Sequence, residues 1–114
     1  MIKIYHNSRC RKSREGLALL EASGKAFEVI NYIENVPSKK ELKKILQLLG
    51  VTPLELVRKN EAIWKENFRG KSLTDDEVLT AMVQYPKLIE RPIVLNGNEA
   101  VIGRPKELIS KLLQ

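Results

Sequence analysis

The one cysteine of the chain, Cys10, lies in the stretch "HNSRCRKSR" at residues 6–14, with its one histidine, His6, and the cations Arg9, Arg11, Lys12 and Arg14. A thiol attacks only as its thiolate, and positive charge nearby favours ionisation. A cysteine that merely fills a core gains nothing from such neighbours; one that must ionise or meet an anion does. Ser13 stands three residues on, where a CxxC redox pair would carry its second cysteine. It cannot close a disulfide, but its hydroxyl is a candidate donor to the thiolate. His6, four residues upstream, is a second candidate for tuning the thiol. One His and one Cys fall well short of a tetrahedral zinc site, so no metal is expected.

The flanking pattern places this cluster. Ile2 to Tyr5 alternate like a short strand, and "RKSREGLALLEAS" reads as a helix with Leu17 and Leu20 inward and Gly24 at its C-terminal cap. Cys10 therefore falls at a helix N-terminus, where free N–H groups and the helix dipole favour an anion. "FEVINY" reads as a second strand. Three helix starts follow: Ser38 with Glu41, Thr52 with Pro53 and Glu55, and Thr74 with Glu77. The first leads into Leu42, Ile45, Leu46 and Leu49 before Gly50, and the third into Val78, Leu79, Met82 and Val83. "PIVL", the turn signal Asn96-Gly97 and "EAVI" predict a hairpin, and Pro105 opens a last helix through Leu108, Ile109, Leu112 and Leu113. The order is βαβ, a helical insertion, then ββα. A parallel pair with a right-handed crossover and a later antiparallel pair make a mixed four-stranded sheet with flanking helices. That α/β layout is thioredoxin-like, and one domain over residues 1–114 is expected.

Composition narrows the setting. The chain has 114 residues, 43% hydrophobic and 30% charged, as in ordinary globular domains. No apolar run reaches the roughly 20 residues of a membrane span, and Ile2 to Tyr5 leave no room for a signal peptide's apolar region. A single cysteine makes no internal disulfide, so a reducing cytoplasm is the expected location. The net charge of +6 and pI near 9.6 favour anionic partners. Lys3, Arg9, Arg11, Lys12 and Arg14 all precede the first acid, Glu15, and elsewhere Lys and Glu are interspersed. A small oxyanion suits that distribution, and no nucleic acid is expected.

The chain resembles the glutathione- and glutaredoxin-dependent arsenate reductases, a thioredoxin-fold family. The resemblance spans essentially the whole chain. It rests on "YHNSRC", "RKN" at 58–60, "TDDEVL" at 74–79, "ERPIVL" at 90–95 and "GRP" at 103–105 in this order. It implies that Cys10 is the catalytic cysteine, that Arg58, Arg91 and Arg104 handle the oxyanion, and that His6 is the family's histidine upstream of the nucleophile. Ser8 stands where that family often has proline, and Arg11 and Lys12 where its members carry small residues. Arg91 and Arg104 each directly precede a proline at an element boundary, and Arg58 ends a short helix. Guanidinium groups grip tetrahedral oxyanions bidentately and stay charged at any working pH. Pro92 is a candidate for the cis proline that precedes the third strand in thioredoxin-like folds.

The implied activity is reduction of arsenate by the Cys10 thiolate, with no bound cofactor. Counting cysteines requires an external reductant, and the resemblance makes it glutathione followed by glutaredoxin. Two other classes share the layout. One is an Spx-type transcriptional regulator binding RNA polymerase, many of which carry a CxxC switch that Ser13 breaks here. The other is a glutathione-linked thiol oxidoreductase acting on protein mixed disulfides.

Overall fold

The computed structural model describes residues 1–114. It groups them into two compact units, Met1–Asn35 with Arg91–Gln114, and Val36–Glu90. The first unit holds a four-stranded sheet built from β1 (Ile2–His6), β2 (Phe27–Asn31), β3 (Ile93–Asn96) and β4 (Glu99–Ile102), in the order β2-β1-β3-β4. Strands β1 and β2 are parallel, and β3 runs antiparallel to both β1 and β4. The mixed sheet read from the sequence is the one observed.

Helices α1 (Arg11–Ala22) and α6 (Glu107–Leu112) complete this unit. Ile2, Ile4 and Val94 share one face of the sheet and bury against Leu20 of α1 and Ile109 and Leu112 of α6. Each such aliphatic side chain contributes about 1.5–3 kcal/mol when taken fully out of water. The buried stripe of α1 is Ser13, Gly16 and Leu20, with Leu17 only packed alongside. Its C-terminus is capped at Ser23, and Gly24 follows in the left-handed region with φ +72°. Pro105 does not open α6 as the sequence predicts. Its peptide bond with Arg104 is cis, and the helix begins only at Glu107, with Lys106 as N-cap.

The second unit is helical: α2 (Lys39–Leu49), α3 (Pro53–Leu56), α4 (Ala62–Asn67) and α5 (Asp75–Gln84), then a 3₁₀ turn at Pro86–Leu88. All three expected starts form reciprocal capping boxes, with Ser38, Thr52 and Thr74 each paired to the glutamate three residues on. Each satisfies helix-end donors that would otherwise be orphaned. Val57 bridges Ile89 in antiparallel fashion, with Arg58 N–H donating to the Leu88 carbonyl at 2.7 Å and Glu90 N–H to the Leu56 carbonyl at 2.9 Å. This clamp fixes the backbone on either side of Arg58.

Candidate active site

The turn that carries the thiol is tied at every residue. Cys10 N–H donates to the Asn7 carbonyl at 3.0 Å, and Arg9 N–H to Asn7 Oδ1 at 3.1 Å. Arg14 reaches back with Nη1 to the Ser8 carbonyl at 2.9 Å. Cys10 itself is the N-cap residue of α1, in extended conformation, and is half-buried. The first free N–H groups of the helix, those of Lys12 and Ser13, face Sγ without closing a capping bond of ideal geometry.

Two arginines meet at the sulfur. Arg104 Nη2 donates to Cys10 Sγ at 3.3 Å, while its Nε donates to the Arg91 carbonyl at 2.8 Å. The Arg91 guanidinium also hydrogen-bonds to the sulfur. The hairpin explains how residues so far apart in sequence converge. Its register pairs Ile93 with Ile102, and one step outward Gly103 N–H donates to the Pro92 carbonyl at 2.8 Å. A further step outward sets Arg91 beside Arg104. The Arg91–Pro92 peptide bond is cis.

Close packing holds this corner against α1. A Cβ at Gly16 would lie 2.9 Å from Pro92 Cγ and 3.0 Å from Ile109 Cδ1. One at Gly103 would meet Ile109 Cδ1 at 2.7 Å and Pro92 Cγ at 3.0 Å. Pro92 is thus seated between two glycines, and both the helix bearing Cys10 and the strand end bearing Arg104 approach it closely.

Burial raises the Cys10 pKa, but the Arg91 hydrogen bond, the Ser13 N–H, the Arg91 charge and the Lys12 N–H outweigh it, so the thiol lies below its ordinary value. This corrects the sequence reading in two respects. The side chains of Arg9, Arg11, Lys12 and Arg14 are exposed and none is among the groups that set the thiol pKa, with Lys12 paired to Glu15 at 3.8 Å and Arg14 turned to the Ser8 carbonyl. A residue at a helix start presents its N–H inward and its side chain outward, so the thiol meets backbone dipoles there, and the cations beside it are Arg91 and Arg104. The Ser13 hydroxyl, for its part, is engaged elsewhere. It accepts the Asn7 N–H at 3.0 Å and meets His6 Nδ1 at 2.7 Å, and Ser13 is fully buried.

His6 is buried with its pKa lowered, first by burial and then by the Arg14 charge, against a backbone contact with Ser13 that raises it. It is therefore neutral near pH 7, with Nδ1 in hydrogen-bond contact with the Ser13 hydroxyl. Arg58 belongs to the helical unit, where Nε contacts Glu61 at 3.3 Å and Nη1 contacts Glu90 at 3.2 Å. Its guanidinium is held between two carboxylates. No group of three His, Cys, Asp or Glu gathers where a metal ion could be held.

Sequence reasoning missed Tyr32 and Asn7. Tyr32 follows the last residue of β2, has no exposed surface, and hydrogen-bonds to both Arg91 and Asn7. The available signal was the parallel β1–β2 register, which pairs His6 with Asn31 and so brings the next residues of both strands together.

A half-buried thiol of lowered pKa beside two guanidiniums, on a helix N-terminus, is suited to attack on a tetrahedral oxyanion. Comparison with known proteins identifies the family. Residues 5–112 match the profile of the ArsC family. The chain is 42% identical to an arsenate reductase of Neisseria meningitidis, over 98% of this chain and 97% of that protein. It is 43% identical to YfgD of Escherichia coli K12, a name that assigns no activity, over 98% and 96% of the two chains. The solved structure of an arsenate reductase from Vibrio cholerae superposes with a TM-score of 0.91 at 47% identity, covering 96% of this chain and 95% of that one. The fold is thioredoxin-like, and the chain belongs to the ArsC family.

Proposed function

We propose that this protein reduces arsenate to arsenite, with Cys10 as nucleophile. The observation that carries the reading is the arginine pair on the sulfur, Arg104 Nη2 at 3.3 Å and the Arg91 guanidinium beside it. Two planar cations at one thiolate lower its pKa and also offer paired donors to the oxygens of an incoming oxyanion. The Cys10 sulfur bonds to arsenic(V), and one arsenate oxygen leaves as water. Two external thiols then supply two electrons and are joined as a disulfide. Arsenic falls to the trivalent state, arsenite departs, and Cys10 returns as a thiolate. Both thiols must come from outside because the chain has one cysteine. Glutathione followed by glutaredoxin is the reductant we assign, and a reducing cytoplasm the compartment. No helix is long and apolar enough to cross a membrane. The third arginine nominated by the family resemblance, Arg58, is assigned to the oxyanion as well.

The test is arsenate-dependent oxidation of NADPH by the purified protein in a coupled assay with glutathione, glutathione reductase and glutaredoxin. Turnover should need every component and vanish in Cys10→Ser, whose oxygen is nearly isosteric but is not a comparable nucleophile. Turnover in Cys10→Ser near the wild-type rate would defeat the mechanism. Turnover on mixed disulfides with none on arsenate would move the protein to the thiol oxidoreductases.

A further inference from the structure

Parallel strands β1 and β2 keep register to the pair His6 and Asn31, so Asn7 and Tyr32 leave the sheet side by side. They do so at the carboxyl end, where residues 7–10 turn into α1 and deliver Cys10. Tyr32 has no solvent-exposed surface although it lies outside the strand. A buried phenol is retained where its oxygen has partners, and here they are Asn7 and Arg91. Asn7 Oδ1 already accepts the Arg9 N–H at 3.1 Å, which leaves its amide NH₂ to donate to Tyr32 Oη. The Arg91 guanidinium donates to Tyr32 Oη and to Cys10 Sγ.

The two arginines at the sulfur therefore have separate anchors. Arg104 is fixed by Nε on the Arg91 carbonyl. Arg91 has a long side chain whose aim must be set by something rigid, since rotamer freedom otherwise dilutes each hydrogen bond it makes. We propose that Tyr32 is a positioning residue, whose hydroxyl, braced by Asn7, aims the Arg91 guanidinium at Cys10. This rests on Cys10 being the nucleophile and does not depend on arsenate being its substrate. Burial pushes the Tyr32 pKa up to about 12, so the phenol is a neutral acceptor at any working pH and sets no second negative charge beside the thiolate. Within this unit the charged or titratable groups facing Sγ are Arg91, Arg104 and Tyr32, while His6 contacts α1 through Ser13.

The experiment is the pH dependence of Cys10 alkylation by iodoacetamide in wild type, Tyr32→Phe, Arg91→Lys and the double variant, with circular dichroism as the check on folding. Alkylation reads the thiolate without any arsenate, so it separates this inference from the assigned activity. Tyr32→Phe should raise the apparent thiol pKa by about half a unit or more, a roughly threefold loss of thiolate at pH values below it. In the Arg91→Lys background the same change should add little, because residues acting through one another are not additive. No shift in Tyr32→Phe, or an equal shift in both backgrounds, overturns the proposal. Should Tyr32→Phe not fold, fluorine NMR of the 3-fluorotyrosine-labelled protein decides. The Tyr32 resonance must follow the Cys10 titration and move on Arg91→Lys, and a resonance indifferent to Arg91→Lys overturns the proposal equally.

Discussion

Removing the Ser13 hydroxyl strands the Asn7 N–H, whose acceptor is Ser13 Oγ at 3.0 Å in a fully buried position. Ser13→Ala should therefore lower stability by about 1–3 kcal/mol, the range for a buried polar group left unsatisfied. The thiol pKa should hardly move, because alanine keeps the backbone N–H that faces Cys10. Urea midpoints and an alkylation profile measure the two separately, and a raised thiol pKa with unchanged stability would reverse this assignment. The arginines divide by what their two edges do. Arg104 spends Nε on the Arg91 carbonyl and Nη2 on Sγ, and one ammonium cannot reach both acceptors. Arg104→Lys and Arg91→Lys should each cut kcat/KM for arsenate at least roughly tenfold, about 1.4 kcal/mol. Arg58→Lys should cost less, since Glu61 and Glu90 already offset the charge of that side chain. Full activity of the Arg91 and Arg104 variants across arsenate concentrations would make them structural cations.

At the level of elements, the contact of α1 with the β3–β4 corner depends on what Gly16 lacks. A methyl there would stand 2.9 Å from Pro92 Cγ and 3.0 Å from Ile109 Cδ1, and Pro92 is backed by Gly103 and cannot yield freely. Gly16→Ala should destabilise the protein by about 1–3 kcal/mol through overpacking, more than the roughly 1 kcal/mol that alanine gains over glycine in a helix interior. Unchanged or increased stability in thermal melts would show that the corner relaxes at no cost. None of this is visible in the pattern of α1, where Gly16 reads as a weak helix residue. The capping boxes at Ser38, Thr52 and Thr74 were legible because donor and acceptor lie three residues apart and need no tertiary partner. The hairpin was legible in kind but not in register. Asn96-Gly97 marks the turn, yet the strands pair Asn96 with Glu99, so the two turn residues are Gly97 and Asn98, with Gly97 at φ +62°. That glycine-first arrangement follows the type II′ preference. A turn centred on Asn96-Gly97 would set Arg91 opposite Ile102 and separate it from Arg104. A register shift of this size changes which residues meet without changing any local signal. Tyr32 escaped for a similar reason, since "FEVINY" gives an aromatic at a strand end and only the partner strand makes it part of the site.

For the molecule as a whole, Cys10 and His6, two perturbed groups of the sheet-bearing unit, tie stability to pH in the same direction. Cys10 titrates lower in the folded protein than in the unfolded chain, where a thiol lies near about 8.5. Its contribution is complete above that value and is lost as pH falls from there to the folded pKa, because in that window the unfolded chain binds a proton that the folded thiolate does not. His6 repeats the pattern one step lower. Burial first, and the Arg14 charge after it, depress its pKa below the ordinary 6.5, while the backbone contact with Ser13 opposes them. Below about 6.5 the unfolded chain gains a proton that the buried ring resists, so stability declines until the folded pKa is passed. The exposed carboxylates with lowered pKa, Glu55 and Asp76, act only in the more acidic range where carboxylates titrate. The growing positive charge of a chain already at +6 pushes the same way, so variants are needed to apportion the slope. Thermal midpoints from about pH 9 to about pH 5 should fall in two stages. Cys10→Ser should flatten the upper stage, and His6→Gln the lower. A midpoint that rises toward acid would mean that His6 is charged in the folded protein, and a lower stage that survives His6→Gln would mean that another group carries it.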